Sequence, residues 1–255
     1  MDISPTFSIT HNLHLKNVRR LLLTTLLVSY CLCFMAQPIE DAQHKWIAAS
    51  VIDDAEVERH GIDSYFVAHP ICDAVFSRMQ GKSYKKSCTV PRENLRYLQV
   101  LHRNVDGKTQ LGEMVCNASI ANDLLTIFRQ LYDAGYKIER MVLIDEYDAD
   151  DERSMTANNT SCFNFRHVSG SAKLSKHSQG LAIDINPLYN PCLSLGTGKV
   201  EPSAGKRYAV ERTQITGTKV PLINKKDLCY RIFREHGFTW GGNWMSKKDY
   251  QHFEK

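Results

Sequence analysis

Residues 95–135, LRYLQVLHRNVDGKTQLGEMVCNASIANDLLTIFRQLYDAG, carry the pattern that sets the fold class. On either side of the turn-forming pair Asp106-Gly107 lie runs with β-branched and aromatic content, which read as two strands joined by a hairpin. Beyond them Ile120, Leu124, Ile127, Phe128 and Leu131 recur at helical spacing until Gly135 stops the run. A hairpin feeding an amphipathic helix predicts an α+β domain, an antiparallel sheet with helices packed on one face. Working outward, MVLIDEY (141–147) and AIDIN (182–186) read as short strands. DLCYRIFREHGF (227–238) reads as a helix with a capping Asp227, an apolar stripe of Leu228, Ile232 and Phe233, and a closing Gly237. Residues 37–90 are mixed and weakly periodic, with a helix expected at 71–79, and predict an amino-terminal extension packed on a core domain at 91–255. No internal repeat or low-complexity tract interrupts the chain after residue 40.

The 255 residues are 43% hydrophobic and 24% charged, with 14 Gly and 8 Pro, enough apolar content for a sizeable core. Disordered, collagen-like and coiled-coil classes are excluded by the same numbers. The net charge of +4 is spread along the chain, so no nucleic-acid partner is expected. Lys16, Arg19 and Arg20 precede LLLTTLLVSYCLCFMA (21–36), a charged region followed by an apolar one, and residues 1–36 therefore predict an export signal or anchor. The apolar run is short for a membrane span, so membrane contact is expected only through this segment if it is not cleaved. It holds those three basic residues against the acidic Asp2, so its loss brings the net charge from +4 to +2. Cys31 and Cys33 leave with it. Cys72, Cys88, Cys116, Cys162, Cys192 and Cys229 remain, an even set that predicts disulfides in an oxidising compartment.

The chemistry concentrates in two places. In SKHSQGLAIDINP (175–187), His177 and Asp184 flank Gly180, and Ala182 and Asp184 share one side of a strand. Gly180 permits a close turn and Ala182 leaves room, so imidazole and carboxylate can converge on a cation or simply hydrogen bond to each other. The second place is GFTWGGNWMSKKDYQHFEK (237–255), where Asp249 precedes His252 by three positions. A histidine this near the end of the chain is best explained if the tail is tied down. Two histidines and one carboxylate leave a coordination position for water, the arrangement of a catalytic zinc, and Asp249 beside it can act as general base. Arg166 either stabilises an oxyanion or holds a carboxylate, or is an exposed arginine after a polar loop. Ser175 either orients the site by a hydrogen bond or is a strand-end cap. Trp240 and Trp244 either wall a peptide site or pack in the core. The acidic run from Asp145 to Glu152 reads as a solvated loop, and His44, His60, His69, His102 and His236 read as surface or helix-end residues.

Ser175-x-His177, Gly180-x-Ala182-x-Asp184 and Asp249-x-x-His252 together resemble the VanY/VanX-type zinc D-alanyl-D-alanine peptidases, nearest the VanY-like branch, over about residues 95–254. The resemblance implies a hedgehog/DD-peptidase-like fold and one Zn2+ per chain held by His177, Asp184 and His252. It also implies Asp249 as general base, Arg166 polarising the scissile carbonyl, and peptidoglycan stem peptides as substrates. D-alanyl-D-alanine carboxypeptidase activity is the first expectation. A stem-peptide endopeptidase of the same family is the second, and a zinc-containing, non-catalytic wall-binding module, as in hedgehog signalling domains, the third. The expected location is the periplasm or cell envelope of a bacterium. Some relatives carry Glu where Asp249 stands, so the resemblance leaves open where the shorter arm puts its carboxylate relative to the water.

Overall fold

The structure is a computed structural model that describes residues 46–168, 171–215 and 220–255, so the export segment expected at 1–36 lies outside the described residues. From Ile47 onward the chain forms one compact unit. In chain order it contains α1 (Asp54–His60), β1 (Val67–Pro70), α2 (Asp73–Met79), β2 (Leu95–Arg103), β3 (Thr109–Asn117), α3 (Ala121–Asp133), α4 (Asp151–Thr156) and β4 (Ala182–Asp184). Then follow β5 (Cys192–Ser194), β6 (Val200–Glu201), α5 (Lys206–Val210), α6 (Leu228–Glu235), β7 (Thr239–Trp240), β8 (Lys247–Asp249) and β9 (His252–Glu254). No helix among the described residues is long and apolar enough to cross a membrane.

The α+β class holds. In place of one sheet, the described strands form three small antiparallel sheets, ordered β1-β2-β3, β4-β9-β7 and β6-β5-β8. The hairpin forms where the sequence places it, with Leu95 opposite Asn117 at one end and Arg103 opposite Thr109 at the other. Asn104 closes its loop by accepting from the Asp106 and Lys108 amides through Oδ1. Leu98, Val100, Met114 and Cys116 point to one face, where α3 lays Leu124, Ile127, Phe128 and Leu131 across them and α6 adds Cys229, Ile232 and Phe233. Each fully buried Leu or Phe here contributes about 1.5–3 kcal/mol.

Helices are not confined to one face. Leu95, Tyr97 and Val115, of opposite parity, meet Val75 and Met79 of α2 together with Phe163 and Phe165. The hairpin is covered on both sides, which is why its burial runs almost unbroken instead of alternating. β1 and α2 fall within residues 37–90, and they build directly onto the hairpin through strand pairing and this second apolar cluster.

Three further expectations are corrected. Residues 141–147 are not a strand: Met141 to Leu143 run extended and Ile144–Tyr147 form a 3-10 turn. Both backbone groups of Val142 are taken by the side-chain amide of Asn159, at 2.9 and 3.1 Å, which replaces the ladder partner a strand would need. The six cysteines are free thiols, so the expected disulfides are not formed among the described residues. Cys116, Cys162 and Cys229 pack into the main core as small apolar side chains, and burial pushes their thiols up. His102 is buried on β2, not a surface residue.

Candidate active site

His177 is presented by a 3-10 turn, Lys176–Gln179, whose first amides are satisfied by Ser175: its hydroxyl accepts from the His177 amide at 3.2 Å. Ser175 is therefore the cap of this turn and positions His177 through it. Gly180 ends the turn at φ +67, and a Cβ there would lie 2.6 Å from the Asn117 backbone nitrogen. That close approach lets the end of β3 hold the turn, since the Asn117 amide donates to Gly180 O at 2.9 Å and its side chain to Gln179 O at 3.0 Å. The hairpin that dominates the fold thus supports the turn bearing His177. Nδ1 of His177 faces the Cys162 carbonyl at 2.6 Å, so that nitrogen carries the proton and Nε2 is left to face inward.

Asp184 and His252 come together by strand register. They are opposite partners in β4-β9, with Ala182 opposite Glu254, so Asp184, His252, Ala182 and Glu254 share one face and the small Ala182 leaves the space. His252 Nδ1 is 3.1 Å from Asp184 Oδ1 and 3.3 Å from His177 Nε2, while its Nε2 donates to Glu254 Oε2 at 3.1 Å. Asp184 Oδ2 lies 3.2 Å from His177 Nε2. One ligand atom from each of these three buried residues lies within 4.8 Å of the others. Burial opposes charge on both partners, yet Asp184 is held well below the usual carboxylate range by the two histidines, and hydrogen bonds to Asp184 and Glu254 lift His252 to about 10.

This donor set fits a zinc ion. Two imidazole nitrogens and a carboxylate oxygen converge, and the remaining nitrogen of each ring is tied to a carbonyl or carboxylate, which fixes ring orientation and ligand basicity. Glu254, which sequence reasoning missed, is one of those supports. Its only sequence signal is the i+2 spacing from His252 in a strand.

Asp249 lies beside the cluster. A Cβ on Gly241 would come 2.8 Å from the Asp249 Cβ and 3.2 Å from the His252 Cβ, so the Gly241–Asn243 turn fits between these two residues only because position 241 is glycine. The Asp249 carboxylate is buried; Oδ1 has no hydrogen-bond partner and Oδ2 faces Lys247 Nζ at 3.4 Å. Cys192 opposes it across β5-β8, and burial, then the Asp249 charge, push its thiol up.

Trp240 belongs to the core. It pairs with Phe253, whose side chain points away from the face of His252, and its Nε1 donates to Tyr250 O at 2.9 Å. The aromatic ring at the site is that of Trp244, 5.1 Å from the His252 ring and partly exposed.

Arg166 is bound to the same neighbourhood by its backbone: its carbonyl accepts from the Ser175 amide at 3.0 Å and from the Ser178 hydroxyl at 2.5 Å. Its guanidinium pairs with Asp151 and makes no hydrogen bond to His177, Asp184 or His252. The acidic run is solvated over most of its length, as expected, but it is ordered into a 3-10 turn and the start of α4 instead of a loop, and several of its carboxylates are engaged. Asp151 holds Arg166, Asp150 caps α4, Glu152 accepts from Ser203, and Asp145 is buried against Ser83, where burial raises its pKa.

Fold and site together define an α+β domain with a buried His-Asp-His donor set and an adjacent carboxylate. Residues 169–255 match the model of the family described as D-alanyl-D-alanine carboxypeptidase, the M15 peptidases, which are hydrolases. The matched segment contains His177, Asp184, Asp249 and His252, leaves Arg166 and the hairpin outside, and does not separate the VanX-like from the VanY-like branch. No curated protein and no solved structure matches the chain.

Proposed function

We propose that this protein is an exported, zinc-dependent D-alanyl-D-alanine carboxypeptidase acting on peptidoglycan stem peptides in the cell envelope of a bacterium. The observation that carries the reading is the convergence of His177 Nε2, Asp184 and His252 Nδ1 beside a buried Asp249 carboxylate with a free oxygen, within the segment that matches the family. Export rests on the apolar stretch at 21–36 behind its basic residues.

A zinc ion held by His177, Asp184 and His252 would supply Lewis acidity and lower the pKa of a water. The chain's own residues do the rest. Cys162 O and Glu254 hold the two imidazoles in the tautomers that leave one nitrogen of each facing Asp184. Asp249 Oδ1, free of protein partners, takes the proton of the attacking water and returns it to the leaving amine, so both transfers use one carboxylate. Burial of that carboxylate excludes bulk water, which strengthens its interaction with a proton in flight. Arg166, carried on backbone bonds to Ser175 and Ser178, supplies a guanidinium for the carbonyl oxygen once it exchanges Asp151 for substrate.

The test is mass spectrometry of muropeptides incubated with the purified protein, with and without chelator. The expected result is chelator-sensitive loss of a terminal D-alanine. Cleavage inside the stem would move the reading to an endopeptidase, and a zinc-loaded protein that cleaves nothing would make it a binding module. Absence of bound metal and of turnover would overturn it.

A further inference from the structure

The sheet β6-β5-β8 carries more than Asp249. Its register sets Cys192 between Glu201 and Asp249, and Ser194 opposite Lys247. The Ser194 amide donates to Lys199 O at 2.9 Å, which places Lys199 on the other side of Ser194. Directly opposed residues share a face, so one face presents a row of Glu201, Cys192 and Asp249 and a second row of Lys199, Ser194 and Lys247. The side-chain contacts agree: Lys199 Nζ lies 2.8 Å from Glu201 and Lys247 Nζ 3.4 Å from Asp249.

The two lysines are not equivalent. Lys199 makes a close pair on an open surface, with 59% of its side chain exposed. Lys247 is 36% exposed, and its ammonium also lies 4.7 Å over the Trp244 ring, which in turn packs on His252. An ammonium has three donors, and the single long contact to Asp249 leaves capacity for another acceptor.

We propose that Lys247, with Ser194 opposite it on β5, is a subsite for the carboxylate of the leaving residue of a peptide substrate. The inference rests on the peptidase reading, and it follows from where Asp249 returns its proton. The amine that receives the proton belongs to the residue that is released, and in a carboxypeptidase that residue's own carboxylate is only two bonds from the nitrogen. A cation for that carboxylate must therefore sit beside the group that protonates the amine. Lys247 is the cation that touches Asp249 among the described residues. Arg166 pairs with Asp151, not Asp249, and in the proposed mechanism its guanidinium is taken by the carbonyl oxygen. A terminal α-carboxylate and a side-chain carboxylate of the leaving residue offer the same chemistry.

The test compares the zinc-loaded wild type with Lys247→Gln and Lys247→Arg on three peptides: an acylated D-alanyl-D-alanine with a free terminal carboxylate, the same peptide as its terminal amide, and an amide whose leaving residue has an acidic side chain. For Lys247→Gln the expected result is a KM for the free acid raised about ten-fold or more, with kcat within about three-fold and the plain amide unaffected. Lys247→Arg retains the preference for the acid. A loss confined to the acidic side-chain peptide assigns the subsite to that carboxylate instead. An unchanged KM for both acids, or an equal fall in kcat on acid and amide, overturns the proposal, the latter because Lys247 would then act only through Asp249. If the wild type cleaves none of the three, the peptidase reading fails and calorimetric binding of the same peptides decides the subsite separately. Acid binding weakened about ten-fold by Lys247→Gln keeps it, and binding equal in both proteins, or none, removes it.

Discussion

His102 in the hairpin region and His252 in the site region are buried to nearly the same depth, 2% and 6% exposed, and are driven in opposite directions. His102 has one partner, the Ile138 carbonyl at 2.7 Å, and burial pushes it down to about 4. His252 suffers the same burial, but Asp184 and Glu254 more than offset it and raise it to about 10. At similar depth, burial decides the direction where the only partner is a carbonyl, and carboxylate partners reverse it. The same contrast separates the two regions as a whole. The hairpin and α3 are held by apolar contact and keep their titratable groups neutral or tightly paired. The sheets β4-β9-β7 and β6-β5-β8 have strands of two or three residues, too short to be stable alone, and they carry the buried carboxylates Asp184 and Asp249.

The contrast can be broken from either side. The largest effect is expected from Asp184→Asn, which removes the one carboxylate of the donor set: metal content measured by atomic emission should fall to background, and peptide turnover should drop about a thousand-fold or more. The companion Asp249→Asn should lose about a hundred- to ten-thousand-fold in turnover while retaining metal, which separates holding the ion from moving the proton. In the hairpin region Leu124→Ala should cost about 3 kcal/mol in urea unfolding, with metal bound per folded molecule unchanged.

The pH response of His102 comes next. Its folded pKa lies below its ordinary value of 6.5, so the unfolded chain binds the proton first on acidification. The stability it allows is complete above pH 6.5 and falls as pH drops towards about 4, by about 3 kcal/mol over that window. His102→Asn should flatten this part of the stability profile, and an unchanged slope would place the acid sensitivity elsewhere. The smallest effect is expected from Ser175→Ala, about 1 kcal/mol from the lost cap, accompanied by a roughly ten-fold weaker metal affinity because the turn carrying His177 loosens. Loss of stability without the change in affinity would make Ser175 a cap and nothing more.

Much of this was legible in sequence where the interactions are local. The hairpin, α3 and α6 announce themselves through turn residues, apolar spacing and a capping Asp227, all within a few residues of where they act. The cluster of His177, Asp184 and His252, which could hold a metal ion, was legible because the three sit in short patterns of small and turn-forming residues. Residues 141–147 misled because Asn159, far along the chain, satisfies the Val142 backbone in place of a strand. Trp240 and Trp244 could not be told apart, since their roles depend on strand parity relative to Phe253 and on the turn at Gly241. Asp151 and Lys247 carry no pattern that marks them as neighbours of the site, and Glu254 only its i+2 spacing from His252.

The sequence by itself determined the α+β class, the main elements and the identities of three buried metal-type donors, because periodicity, turn chemistry and short motifs act over neighbouring residues. The tertiary structure decided the rest: three sheets instead of one, a hairpin covered on both faces, free thiols instead of disulfides, the carboxylate partners that raise the His252 pKa, and the burial that lowers that of His102. Those outcomes depend on register and burial between segments as far apart as residues 184 and 252, where no local signal reaches and only the packed chain sets which side chains meet.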